Sequence, residues 1–302
     1  MSVGTGIVRC AEVAEAERWL ASARSRGRLG FVPTMGALHE GHLTLVRRAL
    51  AENDLAVVSV FVNPLQFDDP ADFGRYPRDF DADAALLETA GASMVFTGSL
   101  AGFFPGAPQN DVPLRRPGPA SMELEGAHRP GHFAGVVTIC ARLFELVRPR
   151  RAYFGEKDYQ QCLVVSELAR ELGFPEIVLC PTSRDLDGLA RSSRNRLLST
   201  EERARALAIP RALEAARSAW RAGERDRERL EGVLRRELAP SRLEVEYAAV
   251  REPLDLCSAP RTMAERARAL IAARVGRVRL IDNLDLAGPG PCGTAKDGAC
   301  PR

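Results

Sequence analysis

Lysine is nearly absent from this chain. Arginine supplies almost all of the 42 basic residues, and only Lys157 and Lys296 are lysines. An ammonium is compact and flexible whereas a guanidinium is a planar fork, so a lysine kept inside an arginine-rich fold indicates a site that needs the smaller group. Lys296 stands in a tail rich in Gly and Pro. Lys157 is therefore a candidate functional residue, and its retention by chance stays an open alternative.

Membrane segments and paired cysteines are also missing. No stretch approaches the roughly 20 apolar residues of a spanning helix, and the N-terminal MSVGTGIVRC lacks the apolar core of a signal peptide. We therefore expect a cytoplasmic protein with no membrane partner. The seven cysteines form no CxxC pair, which argues against a disulfide framework or a cysteine zinc site and favours buried, inert thiols.

The chain has no large charge excess and no common nucleotide-binding signature. Its 42 basic and 40 acidic residues nearly cancel, which argues against a nucleic-acid partner and requires any phosphate ligand to be held locally. Neither GxxxxGK(S/T) nor GxGxxG occurs, so P-loop and dinucleotide-binding sites lose their main support. Any ATP would have to be bound in another way.

The pattern of apolar residues predicts two domains in the 302 residues. Apolar runs at 29–32, 56–62, 93–96, 152–154 and 176–180 alternate with helical periodicity at 43–52, 81–90, 133–147 and 160–172, which predicts a doubly wound parallel α/β sheet over 1–183. Helices from Thr200 and over 225–238, then strands near 243–250, 267–273 and 278–281, predict a smaller α+β domain over 184–287. Residues 288–302 are expected to be a disordered tail.

The segment 30–49 combines a strand end, two glycines and His39-Glu40-Gly41-His42 before a helix. A helix N-terminus favours an anion, and two histidines three residues apart can face one ligand, so we expect ATP phosphates here. The HExH spacing excludes the HExxH metalloprotease motif. A zinc site that recruits His128 and His132, and a purely structural pair of histidines, stay open.

Two further strand ends carry polar side chains. Asn63 and Gln66 follow a buried strand at a proline, where their amides suit a ligand with carboxylate and hydroxyl groups; a surface turn is the alternative. Gly155, Lys157 and Asp158 follow another strand. Gly155 permits close backbone approach, and Asp158 either meets a ribose hydroxyl or caps the next helix. Gln161, one turn further, is expected to face the cavity of Gln66.

A fourth segment, 183–199, lies where the two domains should meet. Ser192 and Ser193 with Arg191 and Arg194 offer hydroxyl donors and fixed charge on a loop that could close over a triphosphate, with an ordinary polar linker as the alternative. Asp79, Asp81 and Asp83 could bind a divalent cation, but such spacing is more typical of an acidic first helical turn.

Together, PTMGALHEGH, FVNPLQF, ELEGAHRPGHFAGV, GEKDYQQ and DGLARSSRN closely resemble the pantothenate synthetase (pantoate–β-alanine ligase) family, over nearly the whole chain. HEGH is similar to the HxGH signature of the wider nucleotidyltransferase superfamily. The resemblance implies a Rossmann-like fold, a homodimer, and an ATP- and Mg²⁺-dependent ligase. Such a ligase converts pantoate to pantoyl adenylate with release of pyrophosphate, and β-alanine then displaces AMP to give pantothenate.

The resemblance also implies roles for individual residues. His42, as proton donor, His39 and Lys157 would be catalytic, and Asn63, Gln66 and Gln161 would bind pantoate, with Gln66 near β-alanine. ATP would be bound by Met35, Gly36, Ala37, Leu38, His39, Glu40, Gly41, His42, Gly155, Glu156, Lys157, Asp158, Ser183, Arg191, Ser192, Ser193 and Arg194. No metal ligand is implied.

The chain departs from the family's pattern at two positions of the implied site. Arg191 replaces a usual methionine and Ser183 a usual aliphatic residue, both on the adenine side. Two other functions compete with the ligase. A nucleotidyltransferase acting on a phosphorylated substrate would want cations where the chain has Gln66 and Gln161. A non-catalytic nucleotide-binding protein would not need His39, His42 and Lys157.

Overall fold

The computed structural model describes residues 6–107, 111–254, 256–257 and 259–288. Apart from Gly288, the tail predicted over 288–302 lies outside the described residues. No described helix is long and apolar enough to cross a membrane.

The larger sheet has six parallel strands, of which the sequence predicts five. Its strands are β1 (Val8–Cys10), β2 (Leu29–Thr34), β3 (Leu55–Val60), β4 (Met94–Phe96), β5 (Arg151–Gly155) and β6 (Glu176–Cys180). They lie in the order β1-β4-β3-β2-β5-β6. The helices of this part are α1 (Val13–Ala23), α2 (Glu40–Glu52), α3 (Pro70–Arg75), α4 (Phe80–Thr89), α5 (Leu100–Phe103), α6 (Glu125–His128), α7 (His132–Val147) and α8 (Tyr159–Leu172).

The apolar runs are continuous because the sheet is covered on both faces. Neighbouring residues of a strand point to opposite faces. Phe31 of β2 packs in one core with Phe144 of α7, whereas Val32 packs in a second core with Val46 of α2. Each strand therefore needs apolar residues at successive positions. The doubly wound α/β prediction is confirmed.

The strand order reverses between β2 and β5, which are neighbours although they are far apart in sequence. From β2 the chain builds outward through β3, and it returns to β5 and β6 on the other side. Ligands of open α/β sheets bind beyond the carboxyl ends of the strands at such a reversal. The loop after β2 and the turn after β5 therefore meet in one crevice.

The second sheet is antiparallel and has three strands in the order β7-β8-β9. Its strands are β7 (Glu244–Arg251), β8 (Arg268–Val275) and β9 (Val278–Asp285). The helices α9 (Thr200–Ala206), α10 (Ala208–Arg221) and α11 (Arg227–Leu238) precede it. Leu213, Leu234 and Ile271 share one core between these helices and the sheet. The predicted smaller α+β unit is thus present, and its boundary at 183/184 stays a prediction.

Several local features differ from those expected, and the short helices α3, α5 and α6 are among those that were not predicted. The strand β1 was not predicted, because only Cys10 of its three residues is buried and no apolar run marks it. The helix α1 was not predicted either, although its buried residues Val13, Ala16, Leu20 and Ala23 have helical spacing. The helical stretch from Thr200 divides after Ala206, because Pro210 cannot donate to the carbonyl four residues earlier. The strand β9 continues four residues beyond the predicted end, through Asp282 and Asn283, which are buried together with polar partners.

Candidate functional site

A cavity of about 490 Å³ lies between the carboxyl ends of β2 and β5 and the small sheet. It is lined by fifteen of the predicted site residues, namely Met35, His39, Gly41, His42, Asn63, Gln66, Gly155, Lys157, Asp158, Gln161, Ser183, Arg191, Ser192, Ser193 and Arg194. The four sequence clusters therefore come together in space. Gly36, Ala37, Leu38, Glu40 and Glu156 are not among the lining residues, and their direct contact with ATP stays a prediction.

A buried carboxylate explains why the 36–38 backbone lies behind the cavity wall. Gly36 and Ala37 both have left-handed φ values, +83° and +51°, which turns successive N–H groups toward one point and forms an anion-binding concavity. Asp83 fills it, accepting hydrogen bonds from the backbone N–H of Ala37 (2.9 Å) and Leu38 (2.7 Å). These donors are already satisfied by the protein.

The other members of the acidic group also have structural roles. Asp79 accepts a hydrogen bond from the backbone N–H of Ala82 (3.0 Å) at the start of α4. Asp81 is exposed and lies 3.9 Å from Arg9. Within the described ranges, no three His, Cys, Asp or Glu side chains are grouped so as to hold a metal ion. The acidic first-turn interpretation is therefore favoured over the cation site, and the zinc site with His128 and His132 has no support.

The rings of His39 and His42 lie against each other, tilted by 31°, at the first turn of α2. Their ring centroids are 4.1 Å apart, and His42 Nδ1 accepts a hydrogen bond from the backbone N–H of His39 (3.3 Å). Neutral His42 therefore carries its proton on Nε2, where it can donate. Nδ1 of His39 is buried and has no hydrogen-bond partner among the described residues. A Cβ on Gly41 would approach the His39 ring to 3.0 Å, so a glycine at 41 leaves room for this ring contact.

Both histidines are held in the neutral form. Burial, then the charge of Lys157, lowers the pKa of His39 to about 4. Burial, then the neighbouring His39 and Lys157, lowers the pKa of His42 to about 3. At neutral pH the pair therefore presents N–H donors rather than imidazolium cations, and the formal positive charge comes from Lys157 and from arginines of the lining such as Arg191 and Arg194.

Lys157 and Gly155 lie on the β5 side of the cavity. Lys157 is about one-fifth exposed, and its Nζ lies 3.5 Å from Asp158 Oδ1. A Cβ built on Gly155 would meet no atom within 4 Å, which leaves open space beside the backbone for a ligand. Asp158 occupies the N-cap position of α8 but makes no side-chain capping bond. The helix-cap alternative for Asp158 is therefore wrong, and its carboxylate can accept a hydrogen bond from a ligand.

Asn63 and Gln66 are buried, which excludes the surface-turn alternative. Asn63 is 1% exposed, and its Nδ2 donates to Gln66 Oε1 (2.9 Å) and to the carbonyl of Gly135 (3.2 Å). Gln66 Nε2 lies 3.1 Å from Met35 Sδ. A Cβ on Gly135 would lie 2.0 Å from the carbonyl oxygen of Leu65, so only glycine allows α7 to pack this closely on the turn. The amides are thus fixed at the cavity wall.

Two residues that the sequence analysis did not assign to the site bind the backbone carbonyl of Gln66. His132 Nδ1 donates to the Gln66 carbonyl (2.8 Å), and Arg129 Nη2 donates to the same oxygen (3.2 Å). Arg129 Nη1 lies 3.3 Å from His132 Nε2, which therefore acts as acceptor. Burial, then Arg129, lowers the pKa of His132 to about 4. The signal was present in RPGH of the third motif, but spacing alone does not reveal a contact with a backbone carbonyl.

The 183–199 loop is held by ion pairs rather than being a free linker. Arg191 Nε donates to Asp185 Oδ1 (2.9 Å), and the backbone N–H of Arg191 donates to the Ser183 carbonyl (2.9 Å). Arg194 pairs with Asp72 at 2.9 Å. Ser193 is 9% exposed. The loop therefore presents its hydroxyls and guanidinium groups to the cavity from a defined backbone.

Comparison with known proteins identifies the family. The family described as Pantoate-beta-alanine ligase matches residues 9–285. A pantothenate synthetase of Rubrobacter xylanophilus is 49% identical over 274 residues, which cover 88% of this chain and 94% of the relative. One of Gluconobacter oxydans is 48% identical over 260 residues, covering 85% and 93%. The chain belongs to the pantoate–β-alanine ligase family. Its activity is that of a ligase that forms pantothenate from pantoate and β-alanine.

Solved structures of the family have the same fold. Pantothenate synthetase from Thermus thermophilus superposes with a TM-score of 0.86 at 44% identity, covering 93% of this chain and all of that one. A pantoate–β-alanine ligase from Francisella tularensis, complexed with beta-gamma ATP and β-alanine, superposes with a TM-score of 0.78 at 29% identity, covering 94% and 99%. The resemblance stated from the motifs is confirmed.

Proposed function

We propose that the chain makes pantothenate through a pantoyl adenylate held in the 490 Å³ cavity. The observation that carries this proposal is that one cavity is lined by two kinds of polar side chain. His39, His42 and Lys157 offer donors and charge for phosphates, whereas Gln66 and Gln161 offer neutral amides for an acid with hydroxyl groups. The relative complexed with beta-gamma ATP and β-alanine supports ATP and β-alanine as cosubstrates.

In the first step, a pantoate carboxylate oxygen attacks the α-phosphorus of ATP. A P–O bond to the acyl group forms, the bond to the bridging oxygen breaks, and pyrophosphate leaves with the electron pair. Nε2–H of His42 and the Lys157 ammonium stabilise the charge that develops on the phosphate oxygens. Because His42 is neutral, with a pKa of about 3, it acts by donating a hydrogen bond.

In the second step, the β-alanine amine attacks the acyl carbon. A C–N bond forms, the bond from the acyl carbon to the AMP oxygen breaks, and the amine gives up a proton. We assign Asn63, Gln66 and Gln161 to the pantoyl group, with Gln66 near the entering amine. We assign Gly155 and Asp158 to the ribose, and Ser192, Ser193 and Arg194 to the triphosphate. Enclosure of the adenylate by residues 184–287, acting as a lid, would keep it from water.

Magnesium is expected to enter with the nucleotide. No cluster of three metal-ligating side chains occurs in the described part of the chain, so this part offers no metal cage built from protein groups alone. Mg²⁺ is commonly held by one or two carboxylates together with substrate phosphates. The ion would neutralise charge on the leaving pyrophosphate.

Isotope exchange tests the first step separately from the second. With Mg²⁺, ATP and labelled pyrophosphate, we expect label to enter ATP when pantoate is added, without β-alanine. Exchange that depends on a phosphorylated acceptor instead of pantoate would contradict the proposal and favour a related nucleotidyltransferase. ATP binding without exchange or pantothenate formation would favour a non-catalytic nucleotide-binding protein.

We also propose a homodimer, on the strength of family membership. Light scattering coupled to gel filtration should give about twice the 32.9 kDa mass of the chain. A monomer at assay concentrations that retains full activity would contradict it.

A further inference from the structure

Two adjacent buried polar residues near the end of β9 reach toward the loops of the cavity. Asp282 and Asn283 are each 4% exposed. Asp282 accepts hydrogen bonds from both terminal nitrogens of Arg184, at 2.6 and 3.0 Å. Buried polar groups are costly unless they are paired, so the identity of their partners is informative. Asn283 is the more informative residue, because its partners are in the turn that carries Lys157.

The Asn283 side chain holds the Lys157 turn by its backbone. Its Nδ2 donates to the carbonyl of Glu156 (2.8 Å) and to the carbonyl of Lys157 (2.9 Å). This turn, Glu156–Asp158, has no side-chain cap of its own. Both protons of one amide are therefore directed at two successive carbonyls of the segment that presents the lysine.

A buried arginine fixes the direction of that amide. Arg268 of β8, 6% exposed, donates through Nη1 to Asn283 Oδ1 (2.6 Å). Because a guanidinium has no acceptor, it identifies this atom as the oxygen and so directs the NH₂ group at the turn. The same guanidinium carbon lies 3.6 Å from the ring centroid of Tyr159, two residues after Lys157. The small sheet thus contacts this segment in two ways. Asn283 binds its carbonyls, and Arg268 packs on Tyr159 at the start of the following helix.

We propose that Asn283, oriented by Arg268, is a positioning residue that sets where the Lys157 ammonium stands in the cavity. The proposal rests on the proposed function, in which Lys157 meets the ATP phosphates. A displacement of about 1 Å in a catalytic group can cost roughly a hundredfold in rate. The small α+β unit thereby contributes to catalysis through the backbone of the larger one.

A double-mutant cycle between Asn283 and Lys157 tests this. Asn283→Asp keeps the shape of the side chain and an acceptor for Arg268, but it replaces the two donors with an oxygen that faces two carbonyls. We expect affinity for a non-hydrolysable ATP analogue and the rate of pyrophosphate exchange to fall at least tenfold, with the KM for pantoate changed less than twofold. In a Lys157→Ala background, the same change should cost less than threefold, because the group that it positions is gone.

Control variants separate positioning from general damage. Asn53→Ala removes another buried amide, which donates to the Ala49 carbonyl and to the Tyr153 hydroxyl away from the turn, and it should leave analogue binding within twofold. Asn283→Ala, which removes the donors without adding a charge, serves if the aspartate variant fails to fold.

Each outcome of the cycle decides the matter. Equal fold-losses in the two backgrounds, or an effect of Asn283→Asp below twofold, would overturn the positioning role. A second outcome is that the unaltered protein binds the analogue, and that analogue affinities across the cycle show the coupling, but that pantoate-dependent exchange is absent. In that case the proposed reaction fails while the positioning role stands. If the unaltered protein does not bind the analogue at all, both fail.

Discussion

The contact between His132 and the carbonyl of Gln66 yields a sharp prediction about substrate binding. His132→Gln removes the Nδ1 donor that lies 2.8 Å from that oxygen, whereas His132→Asn keeps an amide nitrogen close to the position of Nδ1. Both substitutions remove the imidazole ring, but only His132→Asn keeps a donor near the position of Nδ1. We therefore expect His132→Gln to release the Gln66 turn and His132→Asn to retain it.

The expected magnitude follows from the remaining partner of the carbonyl. A buried acceptor left without a hydrogen bond costs about 1–3 kcal/mol. Arg129 still donates to the same oxygen at 3.2 Å, so the lower part of that range, about 1–2 kcal/mol, applies. If this cost is felt when pantoate binds, it corresponds to a rise of roughly five- to thirtyfold in KM for pantoate.

The assay is pantoate-dependent pyrophosphate exchange at saturating ATP, combined with unfolding in urea. We expect His132→Gln to raise the KM for pantoate while the KM for ATP stays within twofold, and His132→Asn to recover most of the loss. Equal effects of the two variants on both substrates, in proportion to lost stability, would refute a role that acts through Gln66.

Three further predictions follow from single features of the site. Lys157→Ala should slow adenylate formation at least tenfold, a loss of about 1.4 kcal/mol of transition-state stabilisation, and an unchanged rate would remove its assigned role. Gly155→Val should weaken ATP binding in calorimetry but not the thermal midpoint, because the added atoms enter open cavity space; unchanged affinity would contradict a nucleotide there. The pKa values of His39, at about 4, and His132, also at about 4, lie below the ordinary 6.5, so the unfolded chain binds more protons between these values. Their contribution to stability should be complete above pH 6.5 and fall as the pH drops toward 4, and a His132→Asn variant should show a smaller fall in urea titrations than the unaltered protein.

The larger sheet could be predicted because a strand that is buried on both faces appears in the sequence as a continuous apolar run. Phe31 and Val32 must both be apolar when opposite faces of β2 are covered, and such runs end where polar loops begin. The same logic placed three of the four clusters at strand ends, which parallel strands bring to one edge, and the fourth was placed where the two domains meet. The strand β1 carried no such signal, because two of its three residues are not buried.

The parts of the site that sequence reasoning missed depend on backbone atoms and distant partners. Asp83 looked like one acid in an acidic helical turn, yet its carboxylate fills the concavity formed by Ala37 and Leu38. Asn283 and His132 likewise donate hydrogen bonds to backbone carbonyls. Because every residue has a carbonyl, no side-chain motif predicts these contacts. The predicted strand 278–281 stopped before Asp282 and Asn283, because polar residues are ordinarily exposed. Their burial depends on partners such as Arg184 and Arg268, which the local sequence does not reveal.

The oxygen atoms of pantoate offer a direct test of whether an acyl adenylate forms. With pantoate labelled by ¹⁸O in its carboxylate, attack on the α-phosphorus leaves one labelled oxygen on the phosphate when β-alanine displaces AMP. We predict one ¹⁸O per AMP formed, in equal amount to pantothenate. Label in inorganic phosphate together with ADP, or AMP without label, would contradict an acyl adenylate in this cavity.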